Sequence, residues 1–139
     1  MLTLYFAPGS SSMAAHIALH EVGAEFELRP ISFARREQRD PAYLALNPEG
    51  KVPTLVVDGQ PLTEVAGILF YLARRFPEAG LLPDDAAGEA QAVSWMSFIA
   101  STVHGAMRQG RTQAEAAFAL AECKLEERGW VLGRYSIAD

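Results

Sequence analysis

Residues 47–64 read NPEGKVPTLVVDGQPLTE, and this stretch decides the fold. Residues 54–57 are β-prone, with three apolar residues after Thr54, and Asp58-Gly59 separates them from a second short run. An Asp-Gly pair between two such runs is typical of a β-hairpin turn. A helical pattern of apolar residues follows and ends before Pro77, because the residue before a proline disfavours the helical conformation. The stretch therefore predicts two antiparallel strands followed by a helix.

The residues before this hairpin predict a strand, a helix and a second strand. Residues 2–6 are β-prone and are followed by Pro8-Gly9. Apolar residues then recur at helical spacing, and residues 26–30 alternate between apolar and polar. A strand-helix-strand order suits a parallel pair joined by a helical crossover. Residues 33–50 are polar and irregular and predict a long connection.

The composition changes in the middle of the chain. From Pro77 to Ala87 the composition shifts to Pro, Gly and Asp, which is typical of a linker. Ala-rich helical patterns then cover residues 88–105 and 113–128. The sequence thus predicts an α/β domain at 1–77, a linker at 78–87 and an all-α domain at 88–139.

Composition and charge exclude several classes of protein. The 139 residues are 50% hydrophobic and 21% charged, which is enough apolar material for a packed core and excludes disorder by composition. The net charge of −5, without any basic cluster, predicts no binding to nucleic acid or to an anionic membrane. No apolar run approaches the roughly 20 residues of a membrane-spanning helix. The single cysteine, Cys123, excludes an intramolecular disulfide, and the chain is expected in the cytoplasm.

One histidine pair has a spacing that is found in metal sites. His16 and His20 lie four residues apart in the first predicted helix, which places both rings on one face. A metal site needs further ligands, and no third ligand is evident. No metal is therefore predicted.

Four motifs together resemble one known family. They are YFAPGSSS at 5–12, NPEGKVPTL at 47–55, LTE at 62–64 and SIAD at 136–139. With them the chain resembles the glutathione S-transferases, most closely the bacterial beta-class-like branch. The resemblance implies a thioredoxin-like amino-terminal domain, in the order βαβ-ββα with a mixed sheet, followed by an all-α domain. It also implies a cytoplasmic homodimer, acting in detoxification, that joins the thiolate of reduced glutathione to small hydrophobic electrophiles, with no metal.

The chemistry of such an enzyme depends on the glutathione thiol. A thiol with a pKa near 8.5 is only a few per cent thiolate at neutral pH, and lowering that pKa by about two units needs roughly 2.7 kcal/mol. Ser11 stands where the beta-class pattern has a cysteine, so it can donate a hydrogen bond to the sulfur but cannot form a mixed disulfide with it. The alternative is that Ser10, Ser11 and Ser12 only cap the helix. Tyr5 is the second candidate for the hydroxyl, although a strand tyrosine more often belongs to the core.

The resemblance also implies how glutathione is held. Val52, which precedes a cis Pro53 in the family, pairs its backbone with the cysteinyl part of the peptide. Glu64 meets the γ-glutamyl ammonium group, and the backbone N–H of Val65 meets the γ-glutamyl carboxylate. Many relatives have a serine at position 65, so valine is expected to weaken binding by about 0.5–1.5 kcal/mol for the lost hydrogen bond.

Four further residues are assigned to the site by the same resemblance. Ser10 is assigned to glutathione binding, and Lys51 to the glycyl carboxylate, although a loop lysine is usually solvated. Ser97 corresponds to a polar residue that reaches the glutathione of the partner subunit in some relatives. His104 corresponds to a histidine near the sulfur, although a histidine on such a helix face is often purely structural.

The last motif and the choice of reaction leave alternatives open. Ser136 and Asp139 have the spacing of a capping box, which opens the central helix of the all-α domain in the family. The sequence is therefore expected to hold this domain only in part. Glutathione-dependent isomerisation or dehalogenation is a second possible function, and a non-catalytic binding or regulatory role is a third.

Overall fold

Four short strands form one mixed sheet in the order β2-β1-β3-β4. They are β1 (Leu2–Phe6), β2 (Phe26–Pro30), β3 (Thr54–Val57) and β4 (Gln60–Thr63). β1 pairs with β2 in parallel and with β3 in antiparallel fashion, and β3 and β4 form the predicted hairpin. The predicted βαβ-ββα order and the mixed sheet are therefore confirmed.

The computed structural model describes all residues from 1 to 139. Its helices are α1 (Ser12–Glu21), α2 (Pro41–Leu44), α3 (Val65–Arg75), α4 (Ala86–Phe98), α5 (His104–Gln109) and α6 (Arg111–Leu125), with a π-helical segment at Ile99–Val103 and 3-10 turns at Glu37–Arg39 and Pro77–Ala79. The chain divides into two units, Met1–Ala79 and Gly80–Asp139. The sequence-based limits 1–77, 78–87 and 88–139 stay a prediction.

The position of each strand follows from its residues. Both outer strands contain a proline, Pro30 in β2 and Pro61 in β4. Proline has no N–H to donate to a neighbouring strand, so it is tolerated at the edge of a sheet. The central strands instead contribute fully buried leucines, Leu4 from β1 and Leu55 from β3, which face each other across the antiparallel pair.

The core of the first unit combines these strands with two helices. α1 and α3 pack against each other, and α1 also packs against β1. The largest fully buried apolar side chains come from β1, β3, α1 and α3. They are Leu4, Leu19, Leu55, Ile68 and Leu72. The core thus fixes the position of α1, and Ser11, the serine predicted to activate the thiol, lies at the N-cap of this helix.

A glycine allows two loops of this unit to approach each other closely. Gly50 has φ +63°, and a Cβ added there would lie 2.7 Å from the backbone oxygen of Gln38. Both features favour glycine, since other residues are strained in the left-handed region and a backbone oxygen cannot easily move away. The approach holds the loop before β3 against residues 37–39.

Replacing Gly50 with alanine is expected to lower the free energy of unfolding by about 1–3 kcal/mol. The matched control is Gly67→Ala in α3, where an added Cβ meets nothing within 4 Å. That change is expected to be neutral or stabilising, by up to about 1 kcal/mol, because alanine is the better helix former. Denaturant unfolding of both variants measures the difference, and equal stability of the two would contradict the proposed close approach.

The capping box forms at the end of the second unit. The Ser136 N–H donates to Asp139 Oδ2 over 2.9 Å, and the Ala138 N–H donates to Ser136 Oγ over 3.2 Å. The first bond is one of the two in a capping box; the second differs from the usual pattern, because Ser136 Oγ accepts from the N–H of Ala138 while the N–H of Asp139 donates to the carbonyl of Ser136. The Ile137 N–H also donates to the carbonyl of Leu81 over 2.8 Å, which ties this turn to the start of the unit.

Candidate active site

Two of the three serines at the start of α1 are used to close the turn after β1. Ser10 Oγ donates to the carbonyl of Ala7 over 2.7 Å and accepts from the Ser12 N–H over 3.3 Å. Ser12 is fully buried, and its Oγ lies 3.1 Å from both the N–H and the carbonyl oxygen of Ala7. The role of Ser10 in glutathione binding stays a prediction, and its hydroxyl is already engaged within the turn.

Ser11 differs from both neighbours. It occupies the N-cap position of α1, is half-exposed, and its side chain makes no capping hydrogen bond. Its backbone has φ −61° and ψ −11°, the helical conformation instead of the extended one that a capping residue usually adopts. The alternative that Ser11 caps the helix through its side chain is therefore wrong. Its hydroxyl has no partner within the protein and is free to donate to a ligand.

The electrostatic setting of Ser11 favours an anion. α1 has ten residues, and its dipole places partial positive charge at this end of the helix, although the N–H groups of Ser12, Met13 and Ala14 already donate to Ser10 and Ser11. The dipole therefore favours negative charge beside Ser11. A hydroxyl donor at this place can stabilise a thiolate by a charge-assisted hydrogen bond.

The loop before β3 presents the backbone of Val52. The Val52–Pro53 peptide bond is cis, as the resemblance implies, and both residues are buried. The carbonyl of Lys51, directly before this bond, accepts hydrogen bonds from Tyr43 and Asn47. The sequence analysis gives these two residues no role in the site: Tyr43 lies in an irregular stretch, Asn47 is only part of the 47–55 motif, and the partners of both lie several residues further along the chain.

Glu64 and Val65 lie where β4 turns into α3. Glu64 is exposed and has φ +68° and ψ 124°, an unusual conformation for a residue with a side chain. Such strained residues cluster at binding sites. Val65 is half-buried and is the first residue of α3, so its N–H has no partner within the helix. A second helix N-terminus is thus available for an anionic group.

Lys51 and Tyr5 have other contacts in the structure. The Lys51 ammonium lies 2.5 Å from the carboxylate of Glu49, and both side chains are largely exposed. The ring of Tyr5 packs against Tyr43, with 5.5 Å between the ring centroids, and lies against a small buried cluster that includes Val52. This position agrees with a packing role for Tyr5, and its role as a rival donor stays a prediction.

Ser97 and His104 belong to the unit Gly80–Asp139. Ser97 is exposed in α4, and its carbonyl accepts from Ser101 Oγ over 2.8 Å. His104 is half-buried at the start of α5, with its Nε2 atom 3.3 Å from Nη2 of Arg108. The structure thus groups Ser10, Ser11, Val52, Glu64 and Val65 in one unit. The roles of Ser97 and His104 stay predictions.

The sequence analysis predicts neither a metal site nor a membrane-spanning helix, and both predictions can be compared with the structure. The Nε2 atoms of His16 and His20 lie 3.3 Å apart on the exposed side of α1. Nowhere does the structure bring together three or more residues able to hold a metal ion. None of the helices combines the length and the apolar character that crossing a membrane requires.

The sheet order and the first helix define a thioredoxin-like protein with a free serine hydroxyl at the start of α1. Residues 1–74 match the family model described as glutathione S-transferase, N-terminal domain. Glutathione S-transferase GstA of Escherichia coli O157:H7 is 30% identical over 155 residues, which cover 99% of this chain and 77% of that protein. The chain therefore belongs to the glutathione S-transferase family, a family of transferases, and the predicted resemblance is confirmed.

Two further comparisons bear on the function. The crystal structure of a glutathione transferase homolog from Sulfitobacter, solved with bound glutathione, is 37% identical with a TM-score of 0.86 and covers 99% of this chain and 77% of that one. A maleylacetoacetate isomerase from Pseudomonas aeruginosa is 37% identical over 98 residues, which cover 68% of this chain and 46% of that protein.

Proposed function

We propose that the protein joins the thiolate of reduced glutathione to small hydrophobic electrophiles. The observation that carries this proposal is the unpartnered hydroxyl of Ser11 at the N-terminus of α1. In the reaction the thiol loses its proton to solvent, the sulfur forms a bond to an electrophilic carbon, and the leaving group departs with its electron pair. Ser11 stabilises the sulfur anion from which this attack begins.

The energies available at this site match what the reaction needs. A shift of about two pKa units corresponds to roughly 2.7 kcal/mol. A hydrogen bond to a charged group contributes about 1.5–3 kcal/mol, and a helix N-terminus adds about 0.3–1 kcal/mol. The Ser11 hydroxyl and the first turn of α1 together supply the required stabilisation without a metal or a second base.

Glutathione is proposed to lie along the first unit in an extended form. Val52 pairs with its cysteinyl backbone, Glu64 accepts from its ammonium group, and the N–H of Val65 donates to its γ-glutamyl carboxylate. Lys51 faces the glycyl carboxylate. The strained backbone of Glu64 and the free N–H of Val65 support this arrangement.

The remaining assignments are part of the same proposal. Ser10 contributes to the glutathione site, and Ser97 and His104 take the roles that the resemblance implies. The protein acts as a homodimer in the cytoplasm, in detoxification. The limits 1–77, 78–87 and 88–139 describe the proposed glutathione-binding domain, linker and all-α domain.

Replacing Val65 with serine is expected to tighten glutathione binding by about 2- to 12-fold, because a hydroxyl is added where the γ-glutamyl carboxylate is proposed to lie. Isothermal titration calorimetry measures the change. The matched control is Val93→Ser, at a 40% exposed valine of α4, which is expected to leave the affinity unchanged. Equal affinities for all three proteins would place the γ-glutamyl end elsewhere.

A second candidate function is isomerisation with glutathione as the reagent. The similarity to a maleylacetoacetate isomerase favours it, and the same thiolate would add to the substrate and then leave it again. A panel of aryl halides and of cis-configured unsaturated diketo acids distinguishes the two reactions. Turnover of the diketo acid alone would establish the isomerase. If calorimetry detects no heat of binding at millimolar glutathione, a non-catalytic role would be favoured.

A further inference from the structure

A buried polar cluster lies directly behind the loop that presents Val52. Tyr43 and Asn47 are each 4% exposed, and Thr54 is fully buried. Tyr43 lies on α2, Asn47 lies just after this helix, and Thr54 is the first residue of β3. Three buried polar side chains in one place are costly unless they are hydrogen-bonded, so their partners show what the cluster does.

Tyr43 and Asn47 share the same two partners. The Tyr43 hydroxyl donates to the carbonyl of Lys51, and it lies 2.9 Å from Oγ1 of Thr54. Asn47 Nδ2 donates to the same carbonyl over 2.9 Å and to Thr54 Oγ1 over 3.2 Å. Since Tyr43 has only one proton, which goes to Lys51, the Thr54 hydroxyl donates to Tyr43 and accepts from Asn47.

The orientation of Asn47 is fixed by a further bond. Its Oδ1 accepts from the N–H of Glu49 over 3.1 Å, so its amide nitrogen faces the cluster. Burial raises the pKa of the Tyr43 phenol above its ordinary value of about 10, and the hydroxyl therefore keeps its proton at neutral pH. Both residues are therefore donors at neutral pH.

The two shared partners flank the segment that the proposed function uses. Lys51 precedes Val52–Pro53 and Thr54 follows it, so both ends of the segment are hydrogen-bonded to the same two side chains, Tyr43 and Asn47. Tyr43 also contacts this segment through the cluster formed by Ala7, Ile31, Tyr43 and Val52. Fixing the Lys51 carbonyl at one end and the Thr54 side chain at the other restricts the rotation of the Val52 peptide groups.

We propose that Tyr43 and Asn47 are positioning residues that hold the Lys51–Thr54 segment in the orientation in which Val52 pairs with a peptide ligand. This inference rests on the proposed function, because the ligand is glutathione. Neither residue touches the ligand. They act through the carbonyl of Lys51 and the hydroxyl of Thr54, and thus on glutathione affinity and not on the thiolate chemistry at Ser11.

Tyr43→Phe tests this role, because it removes the hydroxyl and keeps the ring that packs against Tyr5. The glutathione Kd from calorimetry and the KM for glutathione are expected to rise about 3- to 30-fold, since the Lys51 carbonyl loses a donor. At saturating glutathione, kcat is expected to stay within twofold of the wild-type value across the pH profile. The control is Tyr71→Phe in α3, whose hydroxyl makes no hydrogen bond within the protein.

A second pair of variants tests the other end of the segment. Thr54→Val removes the hydroxyl at constant size, and Thr54→Ser retains it. The first is expected to raise the KM for glutathione as Tyr43→Phe does, and the second to restore it to within about twofold. This pair keeps the proposal testable if Tyr43→Phe does not fold.

The proposal is overturned if Tyr43→Phe and Thr54→Val leave the Kd within twofold, or if both lower kcat as much as they raise KM. Amide hydrogen exchange separates it from the proposed function, since it needs no ligand. Faster exchange at Val52 in Tyr43→Phe, with unchanged exchange in β1, supports the positioning role even if wild-type protein binds no glutathione. A wild-type protein that binds no glutathione would contradict only the proposed function and not the positioning role.

Discussion

Replacing Ser11 with alanine is expected to lower kcat/KM for conjugation of a simple aryl halide by about 10- to 100-fold at neutral pH, because the thiolate loses a charge-assisted hydrogen bond. The affinity for glutathione is expected to change little, since the peptide is held at Val52, Glu64 and Val65. The effect should therefore appear in kcat. Steady-state kinetics with glutathione as the varied substrate separates a change in kcat from a change in the KM for glutathione.

The pH dependence gives this prediction a sharper form. Ser11 stabilises the ionised thiol, so its removal raises the pKa of bound glutathione towards the value of the free thiol, near 8.5. The rate of the alanine variant should then approach that of the wild type as the pH rises above about 9, where the thiol ionises unaided. Ser11→Thr, which keeps a hydroxyl, should recover most of the wild-type rate. Ser94→Ala in α4 is the control for the loss of an exposed serine hydroxyl.

A Ser11→Ala variant with full activity at neutral pH would move the role to another group. Tyr5 is the next candidate, and Tyr5→Phe would then show the loss. If both variants were active, the dipole of α1 would carry the stabilisation alone.

Replacing Leu4 with alanine is expected to lower the free energy of unfolding by about 2–5 kcal/mol. Leu4 is 0% exposed in the central strand β1, so truncation leaves a cavity in the core of the first unit. A loss of this size is a large part of the roughly 5–15 kcal/mol that stabilises a typical domain. Denaturant unfolding followed by circular dichroism measures it.

The sheet offers a matched control for this change. Leu28 in β2 lies opposite Leu4 in the parallel register but is 40% exposed. Leu28→Ala is expected to cost clearly less than Leu4→Ala, because less apolar surface returns to water. A Leu28→Ala variant as unstable as Leu4→Ala would mean that β2 is covered in the folded protein, contrary to its exposed position at the sheet edge.

The sheet could be predicted from the sequence because its signals are local. The Asp58-Gly59 pair marks the hairpin, and the alternation in residues 26–30 marks an edge strand that ends in a proline. The parallel pairing follows from the helix between the first two strands. The same reasoning merged two helices: residues 88–105 were expected to form one helix, but a π-helical segment interrupts it at Ile99–Val103. Such a bulge leaves no periodic signal in the sequence.

The site was only partly predictable. Ser11 became a candidate through the family resemblance, and local propensity alone favoured a capping role that the structure does not support. The strained backbone at Glu64 has no sequence signal, since it arises from the turn between β4 and α3. The roles of Tyr43 and Asn47 could not be predicted, because α2 is only four residues long and the partners of both residues lie four to eleven residues further along the chain.

The most direct test of the thiolate account is a pH titration of glutathione bound to the wild-type protein, followed by the ultraviolet absorbance of the thiolate. With glutathione in a saturated complex, the account predicts ionisation about two pH units below that of the free thiol, whose pKa is near 8.5. The same titration of Ser11→Ala should move the midpoint back towards the free value. A wild-type complex that ionises at the pH of free glutathione would contradict the claim that the start of α1 stabilises a sulfur anion.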